Sequence, residues 1–194
     1  VSGDIGCYTL GSAPPLSCMD TCICMGGSIS AGHGAQTAFK RSGSDMRVVA
    51  VIGDSTFFHS GITSLMDVVY NKGNLITVIM DNRTTGMTGH QDNPGTGYTL
   101  LGEEAVEADI PQLCRAIGIR EENIFTVNPL DLRQNHKVLN QCLKTEEPTV
   151  IITRWPCAIK PFSAKDKEEF LLVRPPQKIL QDKCKKCLAC VRTG

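Results

Sequence analysis

Apolar residues in this chain gather into short runs separated by helical stretches, and that alternation sets the expected fold. Residues 47–53 (RVVAVIG) form an apolar run closed by glycine, and residues 74–80 (NLITVIM) form a second. Runs of this length without regular polar alternation predict strands buried on both faces, as in a parallel sheet. Two further β-rich runs follow at 123–127 and 149–155. Helical spacing appears over 28–40, over 57–70 with Ile62, Leu65, Met66 and Val69 on one side, and around 110–117 and 130–144. Strand and helix in alternation require crossover connections, so the expected class is α/β, an open, mostly parallel sheet with helices on both faces. Ligands bind beyond the carboxyl ends of the strands in such sheets, which makes the segments after Gly53 and after Asp81 the candidate binding loops.

The remaining stretches read as loop. Gly and Pro punctuate the first 27 residues, where Val1-Ser2-Gly3-Asp4 looks like the tail of a strand entering a turn. Residues 81–102 form a long polar loop holding five glycines; loops of that length inside a compact domain usually carry function. From Pro156 onward the periodic pattern dissolves, and Pro175-Pro176 marks a linker. The expected division is one domain over 1–173, lacking the start of its first strand, and a linker with a cysteine-rich segment over 174–194. Both ends read as cuts through a longer polypeptide.

Composition narrows the classes. The 194 residues suffice for one full core. Lys plus Arg equals Asp plus Glu, 20 against 20, so bulk charge points to neither nucleic acid nor membrane. Five basic residues against one acid from Lys178 onward read as a solvated segment. No apolar run approaches the roughly 18–20 residues of a membrane span, and no export signal opens the chain, so a cytoplasmic location is expected. Three of the ten cysteines are grouped as Cys184-x2-Cys187-x2-Cys190, a spacing for metal ligation in a reducing compartment rather than for disulfides.

Two strand ends carry the chemistry. The first delivers Gly53-Asp54-Ser55 and the second Asp81-Asn82, with 26 residues between Ser55 and Asn82, enough for a helix and the next strand. Adjacent parallel strands would bring Asp54 and Asn82 to one edge, where a carboxylate and an amide oxygen are hard ligands suited to Mg²⁺ with phosphate oxygens completing its octahedron. Taken by themselves, Asp54 could equally cap the following helix and Asn82 sit in a turn. The run Asn82-Arg-Thr-Thr-Gly86-Met87-Thr88-Gly89-His90-Gln91 continues the motif with turns whose exposed N–H groups can cradle phosphate.

In order, the segments GDIGCY, CMGGSISAGHG, VIGDSTFFHSGI, MDNRTTGMTGHQ and RWPCA resemble the thiamine-diphosphate-binding domain of the 2-oxoacid:ferredoxin oxidoreductases, in particular the large subunit of the indolepyruvate branch, where a histidine stands at the position of His90. The resemblance covers residues 1 to about 160. It implies a thiamine-diphosphate-binding fold in which Gly53, Asp54, Ser55 and Asn82 form the cofactor motif, with Asp54, Asn82 and the main-chain carbonyl of Thr84 as ligands of Mg²⁺. It implies further that Gly86, Met87 and Thr88 approach the diphosphate, and that Gly6 and Cys7 face diphosphate and thiazolium, although Cys7 could instead be a small buried apolar residue. Met25 would wedge between the cofactor's rings and enforce the bent conformer that brings its reacting atoms together; ordinary core packing is the other reading of Met25.

Cys184, Cys187 and Cys190 resemble the opening of a bacterial-type [4Fe–4S] ferredoxin module, a short ferredoxin-like tail. The usual spacing would put its fourth cysteine at Gly194, so this segment alone is not expected to hold a normal cluster. The implied reaction turns an aryl 2-oxoacid and coenzyme A into acyl-CoA and CO₂, with electrons passed to ferredoxin. A second subunit of gamma or beta type and an oligomer are implied as well. No residue here is expected to act as the catalytic acid or base, and the isolated domain is expected to be inactive.

Rival readings have less support. A non-oxidative thiamine-dependent decarboxylase or synthase would share Asp54 and Asn82 but has no use for the cysteine trio. A non-catalytic electron-transfer or scaffold subunit would bind no thiamine diphosphate. Gly32-x-Gly34-x-x-Thr37 lacks the third glycine of a nicotinamide fingerprint, Ser28-Ile-Ser30-Ala-Gly32 fails as a serine-hydrolase elbow, and no Walker loop occurs. His33, His59, His90 and His136 are scattered; only His90 sits in a candidate loop, as a hydrogen-bonding group.

Overall fold

A computed structural model describes residues 1–170 and 184–187. Its strands are β1 (Ser2–Gly3), β2 (Thr21–Cys22), β3 (Val49–Gly53), β4 (Ile76–Asp81), β5 (Ile124–Val127) and β6 (Thr149–Arg154). Its helices are α1 (Gly27–Arg41), α2 (Asp54–Thr56), α3 (Ile62–Tyr70), α4 (Ile110–Ala116), α5 (Leu132–Leu143) and α6 (Ala164–Glu169). The strands form one sheet in the order β2-β1-β3-β4-β6-β5, with every described pairing parallel. The chain separates into two units, Val1–Pro161 and Phe162–Gly194, and the sheet lies wholly in the first.

Side-chain alternation along the strands builds two cores, one on each face. Ala50, Ile52, Ile79, Val150 and Ile152 join Ile29 of α1, Leu65 and Val68 of α3, and Ile110 and Cys114 of α4. On the opposite face, Ile76 and Ile151 join Val138 and Cys142 of α5, with Val49, Val78 and Phe125 packed alongside. Both faces are covered, which is why the strands read as unbroken apolar runs. The α3 face differs from its sequence reading: Leu65 and Val68 are buried, while Met66 is exposed.

Further elements depart from the sequence expectation, beginning with β2, which lies in the first 27 residues that read as loop. A π-helical turn, Phe57–Gly61, joins α2 to α3 into one helical stretch that begins directly at Asp54. Within the second unit, α6 forms where the periodic pattern had dissolved. It starts on a capping box in which Ser163 Oγ accepts from the Asp166 N–H and Asp166 Oδ2 accepts from the Ser163 N–H.

The strand order fixes where a ligand can enter. From β1 the chain moves to β2 on one side, and β3 then opens the other side of the sheet. Loops leaving β1 and β3 therefore diverge, and a crevice opens between them at the carboxyl edge.

Candidate cofactor-binding site

The crevice is a cleft lined by the segments that follow β1, β3 and β4. Ile5, Gly6, Cys7 and Tyr8 come from the first, Gly53 to Thr56 from the second, and Asn82 with Thr84 to Thr88 from the third; Met25 joins from the turn before α1. All eleven residues singled out from sequence as cofactor-facing meet in it: Gly6, Cys7, Met25, Gly53, Asp54, Ser55, Asn82, Thr84, Gly86, Met87 and Thr88. β3 and β4 pair in parallel with Gly53 opposite Met80, so Asp54 lies level with Asp81 and Asn82 follows one residue on.

Asp54 is 3% exposed, and its Oδ2 accepts a hydrogen bond from Asn93 Nδ2 at 3.2 Å. Burial first, and the nearby Asp81 carboxylate second, push its pKa up to about 7. Asp81 itself forms an ion pair with Arg154 Nε at 2.7 Å. Among the described residues no cationic side chain pairs with Asp54, so its charge is uncompensated.

Asn82 Oδ1 accepts the Thr84 N–H at 3.1 Å across Arg83, whose φ of 60° turns the chain back on itself. An amide oxygen has two lone pairs, so one remains for a ligand. Backbone bonds from Trp155 N to Asp81 O (3.1 Å) and from Cys157 N to Asn82 O (3.0 Å) pin this turn to the continuation of β6. Arg83 Nη1 ties the same turn to Gly95 O at 3.2 Å and to Glu107 Oε1 at 2.6 Å. The Thr85 hydroxyl donates to Ser55 Oγ at 2.9 Å, joining the two motif halves directly.

The loop over 85–91 closes on itself through a bridge between Thr85 and Gln91. Within it the N–H groups of Gly86, Met87 and Thr88 donate to no protein acceptor among the described residues, as a phosphate cradle requires. No three His, Cys, Asp or Glu side chains converge among the described residues. A metal at Asp54 would therefore take one carboxylate, neutral oxygens and ligand phosphates, a hard-oxygen set that fits Mg²⁺ rather than zinc.

The side chains that had two readings lie on the open side of the cleft. Cys7 is exposed, and a Cβ on Gly86 would sit 3.7 Å from its Sγ and 3.5 Å from Asn82 Nδ2. Met25 is 58% exposed and Met87 57%, so neither is a core residue. Cys184 and Cys187 are exposed thiols, and Cys190 lies outside the described residues. Of the histidines, His90 approaches Cys157 Sγ at 3.7 Å, and His59 lines a neighbouring cavity that shares Thr85 and Thr88 with the cleft.

Three contributors escaped the sequence reading. Asp4 is fully buried and accepts N–H bonds from Ile5 (2.8 Å), Gly26 (2.9 Å) and Ser28 (3.2 Å), so it fixes the turn that presents Met25. Tyr8 accepts the Gly53 N–H at 2.9 Å. Asn93, partner of Asp54, is 39 residues away in sequence and carries no local signal. Asp4 and Tyr8 do lie inside the GDIGCY segment, where an acid between two glycines was the available clue.

Residues 4–153 match the family model described as thiamine pyrophosphate enzyme, C-terminal TPP binding domain. The chain is 38% identical over 189 residues to the indolepyruvate oxidoreductase subunit IorA of Methanothermobacter thermautotrophicus, covering 97% of this chain and 28% of that one. It is 40% identical to the subunit of the same name from Archaeoglobus fulgidus, covering 98% of this chain and 29% of the relative. The chain thus spans less than a third of the length of these relatives. Among solved structures, a 2-oxoglutarate:ferredoxin oxidoreductase from Magnetococcus marinus superposes with a TM-score of 0.69 at 15% identity, covering 86% of this chain and 58% of that one, a likeness of fold.

Proposed function

This chain belongs to the thiamine pyrophosphate enzymes, carrying their C-terminal cofactor-binding domain, and from that premise we propose that it anchors thiamine diphosphate through Mg²⁺ in an indolepyruvate-type 2-oxoacid:ferredoxin oxidoreductase. The observation that carries the metal reading is Asp54, a buried carboxylate with no cationic partner among the described residues, set in one cleft with Asn82 and Thr84. A divalent ion there removes the cost that burial and Asp81 impose on its charge. Asp54, Asn82 Oδ1 and the Thr84 carbonyl would hold the ion. The unspent amides of Gly86, Met87 and Thr88 would receive phosphate oxygens, with Gly53 and Ser55 leaving the approach open.

Bound thiamine diphosphate supplies a nucleophilic carbon for the 2-oxo group and a sink for the electrons released by decarboxylation. The chain's part is to bind and orient. Met25 and Met87 offer polarisable side chains at the cleft mouth, with Met25 as the wedge that keeps the cofactor bent. Gly6 and Cys7 close the side nearest β1. The names of the relatives and the sequence trio Cys184, Cys187 and Cys190, as three ligands of a [4Fe–4S] cluster, support an oxidative outcome. The overall reaction is 2-oxoacid anion plus coenzyme A giving acyl-CoA, CO₂, one proton and two electrons, the electrons passing singly to ferredoxin. In this reading residues 1–173 form the cofactor domain and 174–194 begin the cluster module. A second subunit completes the enzyme. No helix among the described residues is long and apolar enough to cross a membrane.

Calorimetric titration with thiamine diphosphate, with and without Mg²⁺, tests the anchor. Affinity should depend on Mg²⁺ in the native chain, and Asp54→Ala should abolish that dependence while the fold persists. Metal-independent binding in both proteins would refute it. In the assembled enzyme, CO₂ release from an aryl 2-oxoacid without ferredoxin reduction would point instead to a non-oxidative decarboxylase.

A further inference from the structure

We propose that Tyr8 is a positioning residue for the cofactor's diphosphate, its hydroxyl oxygen receiving the Gly53 N–H while its hydroxyl hydrogen goes to an anionic phosphoryl oxygen in the cleft. The proposal rests on the cofactor reading above and extends it to a residue outside the metal motif. Tyr8 lines the same cleft as Asp54, Asn82 and Thr84. Its oxygen lies 2.9 Å from the Gly53 nitrogen, on the last residue of β3 before the carboxylate.

A phenol carries one hydrogen to give and lone pairs to receive. Gly53 uses the accepting side, and among the described residues no protein group takes the hydrogen. The ring also explains Gly6 and packs tightly on Gly53. A Cβ on Gly6 would come within 2.4 Å of Tyr8 Cε1, so that position is cut back to seat the ring, and one on Gly53 would press on it at 3.3 Å. Burial and the nearby Asp4 carboxylate push the phenol's pKa up, so it presents a hydrogen to give. A neutral donor with its hydrogen unspent, beside a proposed metal site and three unspent amides, suits an anionic oxygen, where a hydrogen bond gains most.

The experiment uses the full chain and measures affinity for Mg²⁺–thiamine diphosphate and for Mg²⁺–pyrophosphate. Tyr8→Phe should weaken both about tenfold or more, the loss expected for one hydrogen bond to a charged group. Because that variant also strands the Gly53 N–H, a second one separates support from donation. Tetrafluorotyrosine in place of Tyr8 ionises at lower pH, and as it does so its oxygen accepts better from Gly53 but has no hydrogen left to give. Affinity in the analogue should then fall with rising pH across a range where the native chain stays level. Equal affinities for Tyr8→Phe and the native chain, or a level profile in the analogue, overturn the proposal. If the native chain shows no Mg²⁺-dependent binding, the cofactor reading itself fails. Metal dependence lost in Asp54→Ala but affinity kept in Tyr8→Phe would leave that reading standing without Tyr8.

Discussion

Asp54 sets the behaviour of the site before any ligand arrives. Its pKa rises from 3.8 to about 7 on folding, through burial and the Asp81 charge. A carboxyl with a raised folded value binds its proton more tightly folded than unfolded. The metal-free chain therefore loses stability as pH climbs from about 4 to about 7, and this contribution is constant above that window. In chelator, thermal midpoints measured at pH 6 and pH 8 should be higher at pH 6, and Asp54→Asn should flatten the difference; an unchanged difference in the variant would count against it. Asp4 holds the neighbouring turn instead, since three N–H donors converge on it. Asp4→Ala strands those donors and should cost about 2–4 kcal/mol in urea unfolding with an unchanged m-value. Asp4→Asn, which retains one acceptor oxygen, should cost less.

At the level of elements, the cleft owes its shape to how strand ends are tied. β3 and β4 run in register from Val49 opposite Ile76 to Gly53 opposite Met80, so the two motif halves emerge level. The helical stretch after Asp54 approaches β3 closely: a Cβ on Gly61, in the π-helical turn, would meet Ile52 Cδ1 at 2.8 Å. At the opposite end of the sheet, Arg47 gathers the carbonyls of Leu143 (2.7 Å), Asn74 (2.8 Å) and Thr145 (2.9 Å). It clasps the end of α5 to the segment entering β4. Arg47→Ala frees three acceptors on a little-exposed group and should lower stability by about 2–3 kcal/mol, while thiamine diphosphate affinity stays within about twofold. A comparable loss of affinity would mean that the clasp is felt at the cleft.

For the whole molecule, a ligand that binds only the folded state stabilises it by mass action. At a hundredfold excess over its dissociation constant, Mg²⁺–thiamine diphosphate should add about 2.7 kcal/mol, a rise of roughly 5–10 °C in thermal midpoint. Chelator should remove that rise, and Asp54→Ala should never show it. Scanning calorimetry of the two proteins checks both expectations.

Continuous apolar runs at 47–53 and 74–80 specified a doubly covered parallel sheet on their own, because burial on two faces leaves no polar alternation. The fixed interval from Asp54 to Asn82 named the two strand ends for a similar reason, being the length of one crossover. Boundaries were less secure: Met66 kept the helical period yet faces solvent, and α6 followed a capping box that periodicity does not register. Tertiary structure alone decided that β1 stands beside β3, since two-residue strands carry no period. That pairing opens the crevice, seats Tyr8 against Gly53 and turns Cys7 and Met25 toward the cleft. It likewise brings Asn93 to Asp54 from 39 residues away, a contact that chain order cannot encode because it depends on how a long loop folds back over the sheet edge.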